Sequence, residues 1–106
     1  HPAPVTEEQV LSVVCSYYNV DLPLLKGRRR SQEVALARQV AMYLLREELH
    51  YSLPQIGALL GGRDHTTVLY GCQRISSLIE EGDEIRRDIL NIKEHLYSTE
   101  PIRSRQ

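Results

Sequence analysis

SLPQIGALLGGRDHTTVLYGCQRISSLIEE, residues 52–81, is the part of the chain from which the fold can be predicted. It opens with a capping-box pattern and a proline, which predict a short helix at about 53–60. The glycine pair at 61–62 ends that helix, and Asp64 is a candidate N-cap for a longer helix to about residue 81. A short helix, a glycine turn and a longer helix form the layout of a helix-turn-helix. An ordinary helical hairpin has the same spacing and is the alternative.

Segments on both sides of this stretch show apolar residues at the spacing of an amphipathic helix. They lie at about 6–18, 32–49 and 84–97, and a short helical turn begins at Asp21. Helix ends are expected at residues that favour caps or left-handed stops, namely Thr6, Asn19, Gly27, Ser31, Gly82 and Asp83. Because no segment alternates with period two, we predict an all-α fold, a compact helical bundle that contains a helix-turn-helix.

The composition is that of one ordinary soluble domain. The chain has 106 residues, of which 42% are hydrophobic and 25% charged, so disorder of the whole chain is disfavoured. Pro2 and Pro4 indicate a linker remnant over residues 1–5, and residues 98–106 have the composition of a frayed tail. The helix-turn-helix domain is therefore expected to extend over residues 6–97.

Several classes of protein lose support from what the sequence lacks. No apolar stretch approaches the roughly 20 residues of a membrane span, and no signal-peptide pattern opens the chain, so a cytoplasmic location is expected. Cys15 and Cys72 lie within apolar helical patterns, without a CxxC pair. They are expected to be small buried thiols and not metal ligands. Because Tyr supplies all the aromatic residues, we expect an aliphatic core.

Charge is distributed unevenly along the chain, although its net value is only −1. Residues 1–25 carry a net charge of −3, residues 26–74 carry +4 and residues 75–106 carry −2. A basic middle between acidic ends predicts one positively charged face. For the choice of a binding partner, this uneven distribution matters more than the net charge of the chain.

Polar side chains fill the first turn of the longer helix, where Asp64, His65, Thr66 and Thr67 follow Arg63. Two adjacent threonines are poor helix formers, which indicates a role other than helix stability. In a helix-turn-helix this turn faces base edges. Asp accepts from base amino groups, His donates to an acceptor, and a Thr methyl packs on the thymine methyl. The alternatives are that Asp64 is only a cap and that His65 is an exposed histidine without a role.

Arginines supply most of the positive charge in the basic middle. Arg28, Arg29 and Arg30 follow a glycine in a loop, and loop arginines of this kind enter narrow minor grooves. Arg38 and Arg46 are expected on one side of the next helix, where they would pair with phosphates. The alternatives are a solvated charge run for the loop and a surface ion pair for Arg46.

Residues 61–75, GGRDHTTVLYGCQRI, closely resemble the signature of the C-terminal DNA-binding domains of the bacterial chromosomal replication initiator DnaA. RRRSQEVALARQVAMYLLREEL at 28–49 and SLPQIGALLGG at 52–62 are also similar to that family, and the similarity runs from about residue 6 to residue 97. The resemblance implies a Trp-repressor-like helical bundle. Its helix-turn-helix would recognise the DnaA box, a short asymmetric A·T-rich site in double-stranded DNA at replication origins.

The resemblance also implies roles for single residues. Asp64, His65 and Thr66 would contact bases in the major groove, and Arg30 would contact bases in the minor groove. Backbone or flanking contacts are implied for six further residues, Arg38, Gln39, Arg46, Leu53, Pro54 and Thr67.

Two positions depart from the family pattern. Ala37 stands where the family often has Pro, and Gln32 stands where some members carry a basic residue that contacts a phosphate. Neither position belongs to the base-contacting set.

Family members carry an ATPase domain upstream, but this chain has no GxxxxGK[ST] phosphate loop. We therefore expect the chain itself to bind no cofactor and not to be an enzyme. Asp64 and His65 are sequence neighbours whose side chains point apart, and no nucleophile–base–orienter set is evident.

For the full-length family the resemblance implies ATP as cofactor, and other initiator protomers and acidic phospholipid as partners. Two other hypotheses stay open. One is a helix-turn-helix transcriptional repressor domain of Trp-repressor-like build, and the other is a helical protein-interaction module whose basic face binds an acidic partner.

Overall fold

The computed structural model describes residues 4–98, and all regular structure in this range is helical. This confirms the all-α prediction. The helices in chain order are α1 (Glu7–Tyr18), α2 (Leu22–Lys26), α3 (Gln32–Leu49), α4 (Leu53–Leu59), α5 (His65–Glu81) and α6 (Glu84–Leu96). The expected linker remnant at 1–5 and the expected tail at 98–106 lie mostly outside the described residues.

Most helix ends are where the capping residues predicted them. Thr6 forms a capping box with Gln9, and Ser31 accepts from the backbone N–H of Val34 at 3.4 Å. Asn19 adopts the left-handed conformation with φ 59° and ends α1. These side chains and conformations satisfy backbone groups that a helix end leaves without partners, which is why their positions in the sequence fix the boundaries.

The expected cap at Asp83 is wrong. Asp83 has helical backbone angles, φ −94° and ψ −21°, and its side chain makes no capping hydrogen bond to α6. Its carboxylate instead accepts from Arg86 at 3.0 Å. The same Arg86 donates to the backbone oxygen of Ile79 at 2.7 Å. The turn between α5 and α6 is therefore held by an arginine side chain and not by an N-cap.

Helix α3 lies at the centre of the fold and contacts α1, α2, α4 and α5. Its buried residues are aliphatic apart from Met42 and Arg38, and the core as a whole is rich in Val, Leu and Ile, as predicted. Helix α5 also packs on α4 and α6, and α6 packs on α1. The α4–α5 pair thus packs against the central helix.

One polar cluster interrupts this aliphatic core. Asp88 of α6 is only 4% exposed. The hydroxyls of Tyr17 and Tyr18 on α1 each donate to one of its carboxylate oxygens at 2.8 Å. A buried carboxylate requires such donors, so this cluster fixes how α6 lies against α1.

Candidate nucleic-acid interface

The turn between α4 and α5 is built around one backbone oxygen. The carbonyl of Gly57 accepts from the N–H groups of Leu60, Gly62 and Arg63 at 3.2, 2.9 and 3.0 Å. A Cβ at Gly57 would lie 2.0 Å from the backbone oxygen of Arg63, so a side chain there would prevent this approach. Gly61 closes the turn with a φ of +83°. This compact turn sets the angle at which α5 leaves α4.

The first turn of α5 presents its polar side chains to solvent. His65, Thr66 and Thr67 are all exposed, while Val68, one residue further, is buried. Asp64 caps the helix, because its carboxylate accepts from the Thr67 N–H at 2.9 Å. That hydrogen bond and a second one from the Thr67 side chain hold the pKa of Asp64 below its usual value. The predicted base-contacting residues therefore lie together at an exposed helix start, and the Asp64 carboxylate is ionised at neutral pH.

Arg74 was not singled out from the sequence, and it extends this surface. The Arg74 side chain is exposed two turns beyond Thr67 on α5, and it donates to the side-chain oxygen of Gln39 on α3 at 2.7 Å. The exposed Tyr70 lies between them along the helix, with 62% of its surface accessible. The helical repeat could have indicated Arg74 from the sequence. Arg74 lies seven positions after Thr67, and residues seven apart share one face of a helix. Gln39 is thus oriented by a residue of α5.

The basic loop carries the predicted minor-groove arginine. Arg28, Arg29 and Arg30 are exposed, and none of them forms an ion pair with any residue in the described range 4–98. Their charges are therefore not neutralised by the acidic residues of that range. An exposed group of uncompensated arginines is an attractive site for a polyanion.

Arg38 does not lie where a phosphate-contacting residue was expected. It is only 7% exposed. Its Nε donates to the backbone oxygen of Leu25 at 2.7 Å, and its Nη2 donates to that of Leu24 at 3.1 Å. Burial and the nearby charge of Arg63 lower the pKa of Arg38. The guanidinium is held inside because the last carbonyls of the short helix α2 need donors. An Arg38 side chain that donates to these carbonyls cannot at the same time extend to the surface.

The other flanking residues are closer to expectation. Arg46 is half-buried at a shallow groove between α3 and α5. It lies beside Cys72, where its charge offsets part of the rise in pKa that burial gives the thiol. Pro54 is exposed and Leu53 half-buried at the start of α4. Both cysteines are free thiols, as predicted, but only Cys72 is buried; Cys15 is half-buried, so the expected burial is wrong at that residue.

Neither a metal centre nor a membrane span is found among residues 4–98. No three His, Cys, Asp or Glu side chains in this part of the chain are grouped to hold an ion. None of its helices combines the length and the apolar character needed to cross a bilayer.

Comparison with known proteins identifies what the chain is similar to. A family model described as the bacterial dnaA protein helix-turn-helix matches residues 7–75. The chain is 50% identical over 95 residues to the chromosomal replication initiator protein DnaA of Roseiflexus castenholzii, and 46% identical over 92 residues to that of Chloroflexus aurantiacus. The corresponding protein of a Synechococcus strain is 38% identical over 95 residues.

These alignments cover most of this chain but little of the relatives. They include 90%, 87% and 90% of the chain, and 20%, 19% and 20% of the three relatives. The chain thus spans about a fifth of the length of the curated relatives that it matches. The matched domain is a helix-turn-helix, which is not catalytic, and this confirms the prediction that the chain is not an enzyme.

Proposed function

Because the chain belongs to the family of bacterial DnaA helix-turn-helix domains, we propose that it binds double-stranded DNA by sequence and recognises the DnaA box. The observation that carries the proposal is the exposed first turn of α5, where His65 and Thr66 follow the cap at Asp64. The first residues of a recognition helix are those that contact base edges in the major groove. The relatives are named as chromosomal replication initiators, which favours an origin site as the target.

Two sets of groups would cooperate in this complex. Asp64, His65 and Thr66 contact bases in the major groove, and Arg30 enters the minor groove at the A·T-rich end, where a narrow groove concentrates negative potential. Phosphate and flanking contacts come from residues around them, Gln39, Arg46, Leu53, Pro54, Thr67 and Arg74. Arg38 supports the basic loop from inside, because its guanidinium already donates to the carbonyls of α2.

Further properties are expected of the whole protein and not of this domain. ATP, other initiator protomers and acidic phospholipid would be bound through other parts of a longer initiator. We place the protein in the bacterial cytoplasm, since its target is the chromosome. In that setting the domain would deliver the initiator to its DNA sites.

The test compares a DnaA-box duplex with a scrambled duplex of the same base composition, in competition titrations followed by fluorescence anisotropy. His65→Ala and Thr66→Ala each remove one base contact, so the ratio of box to scrambled affinity should fall roughly 5- to 150-fold. Affinity for the scrambled duplex should persist and fall steeply with salt, because phosphate contacts carry it. Both side chains are exposed, so the stability to unfolding should change by no more than about 0.5 kcal/mol.

Ser77→Ala is the matched control, since Ser77 is exposed on the same helix about three turns further on. It should leave the ratio unchanged. Equal affinity of the unaltered chain for both duplexes would exclude sequence-specific binding. Full preference in both variants would show that α5 does not contact the bases.

A further inference from the structure

The glycine turn and the basic loop touch backbone to backbone. A Cβ built at Gly61 would lie 2.1 Å from the backbone oxygen of Lys26, so no side chain fits between them. Gly61 also has a φ of +83°, a conformation that glycine adopts without the steric cost of other residues. Two segments 35 positions apart in the chain, each with its own proposed DNA groove, are therefore in direct contact at this point.

Arg63 joins the same two segments through its side chain. Its guanidinium donates to the backbone oxygens of Lys26 at 3.2 Å and of Gly27, and also to that of Leu60 in its own turn. Burial and the charge of Arg28 lower the pKa of Arg63. The Arg63 guanidinium lies near the charge of Arg28, and it is held in place by backbone carbonyl dipoles and not by an acidic side chain. Its donors are therefore directed into the protein.

Arg38 holds the other end of the same loop. Its Nη1 and Nη2 both donate to the backbone oxygen of Arg29 at 3.4 Å, in addition to the contacts with α2. Together the guanidinium groups of Arg38 and Arg63 donate to five backbone carbonyls within a six-residue stretch. These are the carbonyls of Leu24, Leu25, Lys26, Gly27 and Arg29. The carbonyl of Arg29 belongs to the peptide group that precedes Arg30. The direction in which Arg30 leaves the loop is therefore set by these hydrogen bonds.

We propose that Arg63 is a positioning residue for Arg30: it anchors the basic loop to the helix-turn-helix, so that Arg30 and the start of α5 reach their two grooves together. This inference rests on the proposed function. A planar guanidinium presents several donors in a fixed fork, which suits three carbonyls at once. A lysine ammonium at this position keeps the charge but lacks the fork. The role therefore depends on the shape of the group and not on its charge.

A direct phosphate contact by Arg63 is the competing explanation, and it makes different predictions. A phosphate contact depends mainly on charge, so Arg63→Lys would preserve most of the binding. Its removal would also lower the slope of log affinity against log salt by about one unit. If Arg63 only positions Arg30, Arg63→Lys should lower the preference for the A·T-rich end while the slope of log affinity against log salt stays almost unchanged. In a chain that already carries Arg30→Ala, Arg63→Lys should cause no further loss of that preference.

The experiment is a double-mutant cycle on Arg30→Ala and Arg63→Lys. Each of four chains is titrated with a DnaA-box duplex and with the same duplex carrying G·C pairs at its A·T-rich end. The preference for the A·T-rich end should fall roughly tenfold in Arg30→Ala, as for one lost groove contact. Arg63→Lys should lose most of that preference, and the double variant should lose no more than Arg30→Ala alone. Arg87→Lys, an exposed arginine on α6, is the control and should change nothing.

Two outcomes would overturn the proposal. One is an Arg63→Lys chain that keeps the end preference, and the other is a double variant whose losses add, since independent contacts are additive. Circular dichroism and binding to the scrambled duplex verify that each chain is folded. Arg38→Lys is the second variant, and it must show the same loss and the same lack of additivity even if Arg63→Lys does not fold. Absence of box preference in the unaltered chain would instead contradict the proposed function.

Discussion

Asp64 combines two tasks at one residue, because its carboxylate both caps α5 and lies at the proposed base-contacting turn. The backbone hydrogen bond from Thr67 is the largest cause of its lowered pKa. A carboxyl group whose pKa is lower in the folded state stabilises the fold above its ordinary value of 3.8. That contribution is lost as the pH falls through the lowered value. Capping and base contact can therefore be separated by choosing the substitution.

Asp64→Asn and Asp64→Ala should separate these tasks. Asparagine is as good an N-cap as aspartate and alanine is a poor one, so at neutral pH the Asn variant should melt near the parent and the Ala variant below it. In acid the parent should lose its cap and the Asn variant should not. If the carboxylate accepts from a base amino group, both variants lose box preference. Thermal melts over an acidic pH series and competition titrations measure both effects, and an Asn variant with full preference would limit Asp64 to capping.

The exposure of the proposed contact residues could be predicted from the sequence, and the burial of the arginines could not. His65 and Thr66 follow a cap directly, so their exposure is a consequence of local helix geometry. The position of Arg38 depends on carbonyls of Leu24 and Leu25, thirteen or fourteen residues earlier. Arg63 depends on carbonyls more than thirty residues earlier. No local pattern distinguishes an arginine that donates to such distant backbone groups from one that faces solvent.

At the scale of elements, the two glycines between α4 and α5 have similar backbone angles and different surroundings. Gly61 has φ +83° and Gly62 has φ +79°. A Cβ at Gly61 would collide with the backbone oxygen of Lys26, whereas a Cβ at Gly62 would have no atom within 4 Å. The pair therefore separates the cost of the left-handed conformation from the cost of the close approach.

Alanine at Gly62 should cost about 1–2 kcal/mol of stability, the price of the left-handed conformation alone. Alanine at Gly61 should cost clearly more, roughly 2–4 kcal/mol, because the loop must also move away. Urea unfolding of the two single variants measures the difference. A destabilisation by Gly61→Ala no larger than that by Gly62→Ala would show that the loop yields freely to a side chain.

Helix boundaries were predictable where a side chain caps its own helix, as Ser31 and Asp64 do. The prediction at Asp83 failed because Arg86 competes for its carboxylate and supplies a donor to Ile79. The local sequence around Asp83 is compatible with both arrangements, the N-cap and the ion pair with Arg86. The choice between them depends on how α5 and α6 pack, which is a property of the tertiary structure.

At the scale of the whole molecule, the buried polar cluster around Asp88 and the proposed DNA contacts lie on different helices. The buried hydrogen bonds of Asp88 with Tyr17 and Tyr18 join α1 to α6. The proposed DNA contacts lie on α3, α4, α5 and the basic loop. The acidic segments predicted from the sequence correspond to this first group, and the basic middle corresponds to the second.

Asp88→Ala should therefore lower stability without changing recognition. Removing the carboxylate withdraws an acceptor from two buried hydroxyls, which should cost roughly 2–3 kcal/mol. Arg87→Ala, the exposed neighbour on α6, should stay within about 0.5 kcal/mol of the parent. At a temperature where all chains are folded, the ratio of box to scrambled affinity should be equal in the parent, Asp88→Ala and Arg87→Ala. A changed ratio in Asp88→Ala would mean that the α1–α6 contact shapes the DNA-binding surface.

The backbone contact between Gly61 and Lys26 has a geometric consequence for the DNA. Each added base pair moves the next one by about 3.4 Å along B-DNA and turns it by roughly 35°, since about 10–10.5 pairs complete a turn. If the domain binds DNA as proposed, with the loop and α5 held at one separation, an insertion between the two ends of the site would displace the minor groove from Arg30 in both distance and direction. A domain that binds in this way would measure the phase of the double helix as well as the identity of its bases.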